Sequence, residues 1–272
     1  MSRYTFSDRT AVVSGAASGI GRAVATSLSR RGTHVALADV DGDGLAATAE
    51  RLRPFGVRVS THVLDVADRE AVAALPDAVT AEHGGADLLV NNAGVALGGT
   101  FDRVSEADFE WLFEINFWGV VRMTRAFLPL LRASDDARLV NVSSIYGIIA
   151  PPGQVPYAAS KFAVRGFSMA LAHELEGTSV GVTVVHPGGV ATKIADRARA
   201  PDDATEAEIV ENRARAKALL TMPPEEAGEI IVKGVERRKT RVLVGPDAKA
   251  AAALERLAPV RYWSAIRRLA DR

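Results

Sequence analysis

The sequence predicts an α/β protein that folds as one domain around a doubly wound parallel sheet of about seven strands, with helices on both faces. Two observations predict this class: short apolar runs alternate with longer segments of helical periodicity, and turn residues separate them. The strand-like runs lie near 10–14, 34–39, 58–63, 87–90, 138–143, 181–186 and 241–244. The helical segments lie near 19–31, 42–53, 68–83, 106–132, 155–176 and 224–238.

Composition narrows the possible functions. The chain has 272 residues, is 48% hydrophobic and carries 33 basic and 33 acidic residues, so nothing favours nucleic acid as a partner. It has no cysteine, which excludes disulfides and thiolate catalysis, and its histidines lack paired ligand spacing, so we assign no metal. The segment 1–9 is polar and no apolar run approaches the ~18 residues of a membrane span, so we expect a soluble cytoplasmic protein.

The first strand ends in a glycine-rich turn. The run Ser14-Gly15-Ala16-Ala17-Ser18-Gly19-Ile20-Gly21 leads into the first helical segment. Glycines let the backbone approach a pyrophosphate closely, and the N-terminus of the next helix supplies N–H groups and partial positive charge. The spacing is G-x-x-x-G-x-G rather than G-x-G-x-x-G, and a glycine-rich turn without a ligand is the alternative.

The second strand ends at Asp39, 24 residues after Gly15. A carboxylate near this offset accepts hydrogen bonds from the adenosine ribose hydroxyls and repels a 2′-phosphate. The sequence therefore predicts NAD as the cofactor. NADP is the alternative, because Arg22 is a nearby cation that could bind the phosphate; its other role is a solvated side chain in the first helical turns.

Three later strands also end in polar or glycine-rich segments. Asn91-Asn92-Ala93-Gly94 follows the fourth strand, Ser143-Ser144 follows the fifth, and Pro187-Gly188-Gly189 follows the sixth. Ligands of open α/β sheets bind outside the carboxyl ends of the strands, so we expect these segments to converge on one crevice.

Tyr157 and Lys161 are four residues apart in a helical segment, which places them on one helix face. An adjacent cation favours the phenolate, so we expect the pKa of Tyr157 to be lowered towards the range of a general acid/base. Alternatively, the two side chains meet on a solvated helix face without a catalytic role.

Together these motifs resemble the short-chain dehydrogenase/reductase family, which has a Rossmann fold. The family patterns T/S-G-x-x-x-G-x-G, N-N-A-G, S…Y-x-x-x-K and P-G-x-V-x-T occur in order, and the resemblance covers residues 6–246. The departures are Ser14, where threonine is commoner, and a C-terminal extension.

The resemblance implies hydride transfer between a nicotinamide and a secondary alcohol or ketone. Tyr157 would be the general acid/base, and Lys161 would lower its pKa and bind the nicotinamide ribose. Ser144, the second serine of its pair, would hydrogen-bond the substrate oxygen. Asn116 would order a water of a proton relay, and a mid-helix asparagine, unfavourable by propensity, agrees with such a role.

The resemblance also implies which residues contact the cofactor. Asp65 and Val66 would hold the adenine, Asn92 and Gly94 the adenosine ribose region, and Val190 and Thr192 the nicotinamide carboxamide. A helix N-cap is the alternative role of Asp65. Ser18 and Val40 occupy positions where NADP-dependent relatives carry basic residues. The full predicted set is Gly15, Ser18, Gly19, Ile20, Gly21, Asp39, Asp65, Val66, Asn92, Ala93, Gly94, Tyr157, Lys161, Pro187, Gly188, Val190 and Thr192.

The substrate pocket is expected between the segments 95–98 and 147–152 and a helical lid over 190–221. These segments are mostly apolar, so we expect a lipophilic alcohol or ketone. Lys193, Arg197 or Arg199 of the lid could instead reach a carboxylate or phosphate. The alternative functions are an NADP(H)-dependent carbonyl reductase and a non-catalytic NAD(H)-binding sensor. An enoyl reductase would be expected to have a wider Tyr-to-Lys spacing.

Helix 106–132 is apolar on more than one face, which predicts burial on several sides. In the resembled family this helix and the helix of Tyr157 form a contact between subunits, so we expect a homodimer or homotetramer.

The domain is expected to span 1–246, with a helical extension over 247–272 that Pro259 divides into two short helices. Trp263, Ile266 and Leu269/Ala270 form an apolar stripe beside basic residues. We expect its own domain or a neighbouring subunit to cover the stripe, and an anionic membrane surface is the alternative.

Overall fold

The computed structural model describes residues 3–270 and confirms the predicted fold class. Seven parallel strands form one sheet in the order β3-β2-β1-β4-β5-β6-β7. The strands are β1 Thr10–Ser14, β2 His34–Asp39, β3 Val59–Val63, β4 Leu88–Asn91, β5 Ala137–Val142, β6 Val180–Pro187 and β7 Arg241–Val244. The order reverses between β1 and β4, so the crevice of a doubly wound fold opens there.

Helices cover both faces of the sheet. They are α1 Gly19–Ser29, α2 Gly42–Leu52, α3 Arg69–His83, α4 Glu106–Phe113, α5 Gly119–Ala133, α6 Val155–Glu174, α7 Glu206–Leu219, α8 Pro224–Glu236, α9 Pro246–Leu257 and α10 Tyr262–Ala270. One core cluster joins the sheet to α1, α2 and α8, and a second joins its other face to α3, α5 and α6.

The predicted helix over 106–132 is not uniform. A π-helical turn, Glu114–Trp118, separates α4 from α5. Asn116 lies in this turn, and its side chain bonds the backbone of Val95. These hydrogen bonds to Val95 stabilise the π-helical turn. The helical periodicity of the sequence does not reveal such a turn. The other predicted strands and helices end within two residues of the observed limits.

The segment 190–221 crosses above the carboxyl edge of the sheet. It carries α7, whose N-terminus has a capping box of Thr205 and Glu208 and none of whose side chains is buried. Two short bridges, Leu97 with Arg199 and Val190 with Met222, connect the segment to the main body.

The C-terminal extension forms α9 and α10, with Pro259 between them. Tyr262 and Ile266 of α10 pack against a cluster containing Ile148 and Ile149, so their own domain covers part of the predicted stripe. The predicted stripe residues Leu269 and Ala270 have side chains outside the described part of the structure, as do residues 271–272. Over residues 3–270, no helix combines the length and the apolarity that crossing a bilayer requires.

Candidate active site

The glycine-rich turn between β1 and α1 has the geometry of an anion-binding site. Gly15 and Gly19 have φ angles of 66° and 53°, a region that side chains disfavour. A Cβ atom at position 21 would overlap the carbonyl oxygen of Gly15, and a Cβ atom at position 15 would overlap the Asn92 side chain. Both positions therefore require glycine. Ser18 is the N-cap residue of α1, yet its side chain makes no capping hydrogen bond. The first amides of α1 are therefore not satisfied by a side-chain cap and suit a pyrophosphate.

Ser14 and Asn92 fasten this turn to the end of β4. The Ser14 hydroxyl accepts hydrogen bonds from the backbone N–H groups of Asn92 and Ala93, both at 3.1 Å. The Asn92 side chain donates to the carbonyl oxygens of Ser14 and Gly15, at 3.1 and 3.2 Å. Asn92 thus positions the turn, and its predicted contact with the adenosine ribose region stays a prediction.

Asp39 lies at the end of β2 beside the turn. Its carboxylate accepts hydrogen bonds from the N–H groups of Ala17 at 2.9 Å and Asp41 at 3.1 Å. Arg22 is not the solvated side chain considered from the sequence: its Nε donates to the Thr48 hydroxyl at 2.9 Å, and Nη2 donates to the carbonyl of Ala17. Its guanidinium is therefore engaged within the fold.

Asp65 and Val66 follow β3 at the same edge. Asp65 accepts a hydrogen bond from the Ala67 N–H at 2.8 Å, whereas the cap of α3 is Asp68. The alternative role of Asp65 as that N-cap is thereby excluded. Val66 is buried against Gly119, where a Cβ would lie 2.7 Å from a Val66 methyl carbon. The predicted adenine contacts of Asp65 and Val66 stay predictions.

The three predicted catalytic side chains come together beyond the end of β5. Ser144 caps a short 3-10 turn and accepts a hydrogen bond from the Tyr146 N–H at 3.1 Å. Its hydroxyl is close enough to the Tyr157 phenol to favour the ionised form of that phenol. Lys161, one turn after Tyr157 on α6, places Nζ 5.7 Å from the centre of the Tyr157 ring. The same Nζ donates to the carbonyl of Val142 at 3.2 Å.

The pKa of Tyr157 differs from the expectation. Burial raises it to about 12, and the nearby Ser144 hydroxyl only partly opposes this effect. Burial also lowers the pKa of Lys161 to about 8. The expected lowering of the Tyr157 pKa by Lys161 is wrong for the protein without cofactor, because desolvation is the largest influence and Lys161, whose ammonium is bonded to Val142, is not among the groups that shift this pKa.

Ser143 is held apart from the reaction site. Its hydroxyl donates to the backbone carbonyl of Lys161 at 2.7 Å and is buried. A Cβ on Gly147 would overlap that hydroxyl, so α6 and the turn after β5 are tightly packed here. This contact leaves Ser144 as the serine that faces Tyr157.

Asn116 connects the β4 loop to α6. It is fully buried, its Oδ1 accepts from the Val95 N–H at 2.8 Å, and its Nδ2 donates to the Val95 carbonyl at 3.0 Å and the Ser160 hydroxyl at 3.3 Å. A Cβ on Gly94 would lie 3.1 Å from Asn116 Oδ1 and 3.5 Å from Lys161 Nζ. Asn116 is thus beside Lys161, and its predicted role in ordering water stays a prediction.

The segment after β6 lies over the glycine-rich turn. A Cβ on Gly19 would approach the Thr192 methyl carbon to 3.0 Å, so Thr192 faces the N-terminus of α1. Val190 is buried and its N–H donates to the carbonyl of Gly188 at 3.0 Å. Thr192 is therefore next to the turn, and the predicted cofactor contacts of Pro187, Gly188 and Val190 stay predictions.

Two residues of this region were not predicted. The Asp247 carboxylate accepts a hydrogen bond from the Gly189 N–H at 2.6 Å and anchors the segment after β6 to α9. The ring of His186 is fully buried, and its Nδ1 bonds the carbonyl of Ser144 at 2.9 Å. Neither belongs to a local sequence pattern, since each contact joins residues more than 40 positions apart.

The arrangement fits a dinucleotide-dependent oxidoreductase. An uncapped helix N-terminus follows a glycine-rich turn, the Asp39 carboxylate lies beside that turn, and a phenol, a serine hydroxyl and an amine meet at the same sheet edge. In the described part of the chain, no three histidine, cysteine or acidic side chains form a metal-binding group.

Comparisons with known proteins give the family. The family model described as short chain dehydrogenase matches residues 9–203. SadH of Mycobacterium tuberculosis, whose name describes it as an oxidoreductase, is 46% identical over 255 residues, covering 93% of this chain and 92% of that protein. The 1-deoxy-11-beta-hydroxypentalenate dehydrogenase of Streptomyces avermitilis is 38% identical over 199 residues, covering 72% and 74%.

A solved structure is similar over nearly the whole chain. It is a short chain dehydrogenase/reductase from Burkholderia phymatum in complex with NAD, with a TM-score of 0.86, 32% identity, and coverage of 94% of this chain and 95% of that one. This protein belongs to the short-chain dehydrogenase/reductase family.

Proposed function

We propose that the protein is an NAD(H)-dependent dehydrogenase that interconverts a lipophilic secondary alcohol and its ketone. The observation that carries this proposal is the meeting of Ser144, Tyr157 and Lys161 beside the glycine-rich turn. A non-catalytic sensor of NAD(H) would have no need for a phenol next to a serine hydroxyl and a buried amine at this place.

When bound, the nicotinamide supplies or accepts the hydride at the carbinol carbon. Tyr157 exchanges the proton of the substrate oxygen, and the Ser144 hydroxyl hydrogen-bonds that oxygen. The high pKa of Tyr157 keeps the phenol protonated in the protein without cofactor, as a proton donor to a ketone requires. The Lys161 ammonium, together with the positive nicotinamide of NAD⁺, would lower that pKa for alcohol oxidation.

The choice of NAD over NADP is supported by the surroundings of Asp39. Its carboxylate is held in place by two backbone N–H groups, so a 2′-phosphate would meet a fixed negative charge. Arg22 is bound to Thr48 and to the carbonyl of Ala17. The similar Burkholderia phymatum structure contains NAD, which agrees with this proposal.

The lipophilic character of the substrate is supported by the apolar loops around the site. Ile148 and Ile149 follow the Ser144 turn and are buried beneath the C-terminal helices, while Leu97 follows the β4 loop. The relative from Streptomyces avermitilis is named for a hydroxy compound, 1-deoxy-11-beta-hydroxypentalenate. An alcohol on a hydrocarbon skeleton fits both observations.

A panel of secondary alcohols with NAD⁺ or NADP⁺, and of ketones with NADH or NADPH, tests the proposal by nicotinamide absorbance. We expect turnover of at least one hydrocarbon-rich pair, with NAD(H) preferred. Binding of NADH without turnover of any pair would favour the sensor. Equal or better turnover with NADP(H) would favour the carbonyl reductase.

A further inference from the structure

The lid contains a cavity that the proposed hydride-transfer site does not use. It has a volume of about 440 Å³, and its lining comes from the segment 197–202, from α7 and from Asp108 of α4. Three arginines line it: Arg197, Arg199 and Arg213. The acidic lining residues are Asp108 and Asp202, so the lining carries an excess of positive charge.

One arginine of the cavity is already neutralised. Arg199 forms an ion pair with Asp108 at 2.8 Å, and its guanidinium stacks 3.6 Å from the centre of the Trp111 ring. These two contacts hold Arg199 as part of the wall. Asp108 is satisfied by the same pair, and among the described residues the second acidic lining residue, Asp202, forms no ion pair with either of the other two arginines.

The other two arginines have donors to spare. The Nε of Arg213 is buried and has no hydrogen-bond partner, while its Nη2 donates to the carbonyl of Ala198 at a long 3.4 Å. Arg197 reaches Asp41 at 3.4 Å and is more than half exposed. The terminal nitrogens of the Arg213 guanidinium therefore keep donors that an oxyanion in the cavity can accept in charge-assisted hydrogen bonds.

The cavity is connected to the reaction site by the β4 loop. The Arg199 N–H bonds the carbonyl of Ala96 at 3.0 Å, and its carbonyl accepts from the Gly98 N–H at 3.1 Å. Gly94, next to Lys161, precedes this pair by only a few residues. An extended backbone spans ~3.5 Å per residue, so the loop residues that pair with Arg199 lie on the order of 10 Å from Gly94. An extended hydrocarbon chain can span this distance.

We propose that this cavity binds the anionic end of the substrate, so that the physiological substrate is a lipophilic alcohol with a carboxylate or phosphate remote from the carbinol. This inference rests on the proposed function. Arg213 and Arg197 supply the hydrogen bonds to the oxyanion. The apolar segment between the two ends then lies along the β4 loop.

A kinetic test compares a long-chain hydroxy acid with its methyl ester, an otherwise identical pair. We expect the acid to have a KM about 10-fold below that of the ester, equivalent to 1.4 kcal/mol. Arg213→Gln should raise the KM of the acid by about 10-fold with little change in kcat, and leave the ester unaffected. Arg215→Gln is the matched control, since Arg215 is on the same helix but is exposed and pairs with Glu211. Equal KM values for acid and ester, or an equal effect of Arg213→Gln on both, would overturn the proposal.

A second readout does not depend on turnover. Inorganic phosphate, titrated with NADH at saturation so that the glycine turn is occupied, should raise the Tm of the wild type and of Arg215→Gln more than that of Arg213→Gln. The same rise in all three proteins would overturn the anion site. If neither alcohol is oxidised but phosphate distinguishes the variants, the proposed function fails and the anion site stands.

Discussion

The phenol of Tyr157 is subject to two opposing influences. Burial raises its pKa to about 12, while the Ser144 hydroxyl stabilises the ionised form. Lys161 is close but directs its ammonium to the carbonyl of Val142, and burial lowers its pKa to about 8. Both shifts have desolvation as their largest cause.

Asp39 should determine the choice of cofactor. We expect kcat/KM with NAD(H) to exceed that with NADP(H) by at least ~10-fold, about 1.4 kcal/mol. Asp39→Ala should shrink this preference, because it removes the fixed charge beside the ribose. Asp43→Ala, which removes an exposed carboxylate from the first turn of α2, serves as the control for a general charge effect. Equal efficiency of wild type with both cofactors in steady-state assays would refute this assignment.

His186 should make the folded state sensitive to acid. Its ring is fully buried, and burial lowers its pKa to about 4. The unfolded state, with a histidine pKa near ~6.5, binds a proton first as the pH falls, so this contribution to stability is present above pH ~6.5 and is lost towards pH 4. Between pH 7 and pH 5 the loss should be on the order of 2 kcal/mol.

Urea unfolding of wild type and His186→Gln at both pH values measures this contribution. We expect a shallower pH dependence for the variant, because glutamine cannot titrate, whereas His62 and His83 are retained in both proteins. Identical pH dependences would show that His186 is protonated alike in the folded and unfolded states.

At the scale of elements, α9 and α10 support two parts of the site. Asp247 bonds the Gly189 N–H after β6, and the Tyr262 hydroxyl accepts from the Ala150 N–H at 3.1 Å after the Ser144 turn. Both bonded segments adjoin the proposed reaction site. The extension therefore fixes loops that the predicted domain 1–246 would otherwise hold less firmly.

Deletion of 247–272 should change the substrate KM or the oligomer size, because it removes both anchors and uncovers Ile148 and Ile149. A shorter deletion, 258–272, keeps Asp247 and isolates the contribution of α10. Steady-state kinetics and light scattering measure the two effects. If the truncated protein keeps the KM and oligomer size of the full chain but no longer sediments with anionic liposomes as the full chain does, the result would support a membrane surface as the partner of the extension.

The ends of the strands could be predicted from the sequence because buried parallel strands read as apolar runs and the residues after them are polar or glycine. The placement of Asp39, Asn92 and Ser144 at strand ends was predicted in this way, whereas the preference for Ser144 over Ser143 came from the family resemblance. The π-helical turn at Asn116 could not be predicted from the sequence, since it depends on hydrogen bonds to Val95, which is 21 positions away. The pKa of Tyr157 could not be predicted either, because helical spacing shows a neighbouring cation but not the desolvation that raises the pKa.

At the scale of the whole molecule, α6 has an apolar stripe that the single chain leaves open. Val155, Phe162 and Met169 recur every seven residues and are 43%, 38% and 49% exposed, and Trp118 of the adjoining π turn is 45% exposed. Residues at this spacing lie on one helix face. Such a stripe is suited to a second copy of the chain, in agreement with the expected homodimer or homotetramer.

Light scattering should therefore show a dimer or tetramer for the wild type. Met169→Glu places a charge in the stripe and should shift the protein towards monomer at micromolar concentration. Val210→Glu, a change at an exposed position of α7, should leave the size unchanged. A wild-type monomer at the same concentration would contradict this assignment of the stripe.

The most direct test of the proposed chemistry is single-residue replacement of the proton donor. Tyr157→Phe keeps the ring and removes the transferable proton, so turnover of the best alcohol found in the panel should fall by ~100-fold or more. NADH binding, followed by fluorescence, should stay close to that of the wild type. Turnover near the wild-type rate would contradict the account, because the acid/base group would then have to lie elsewhere.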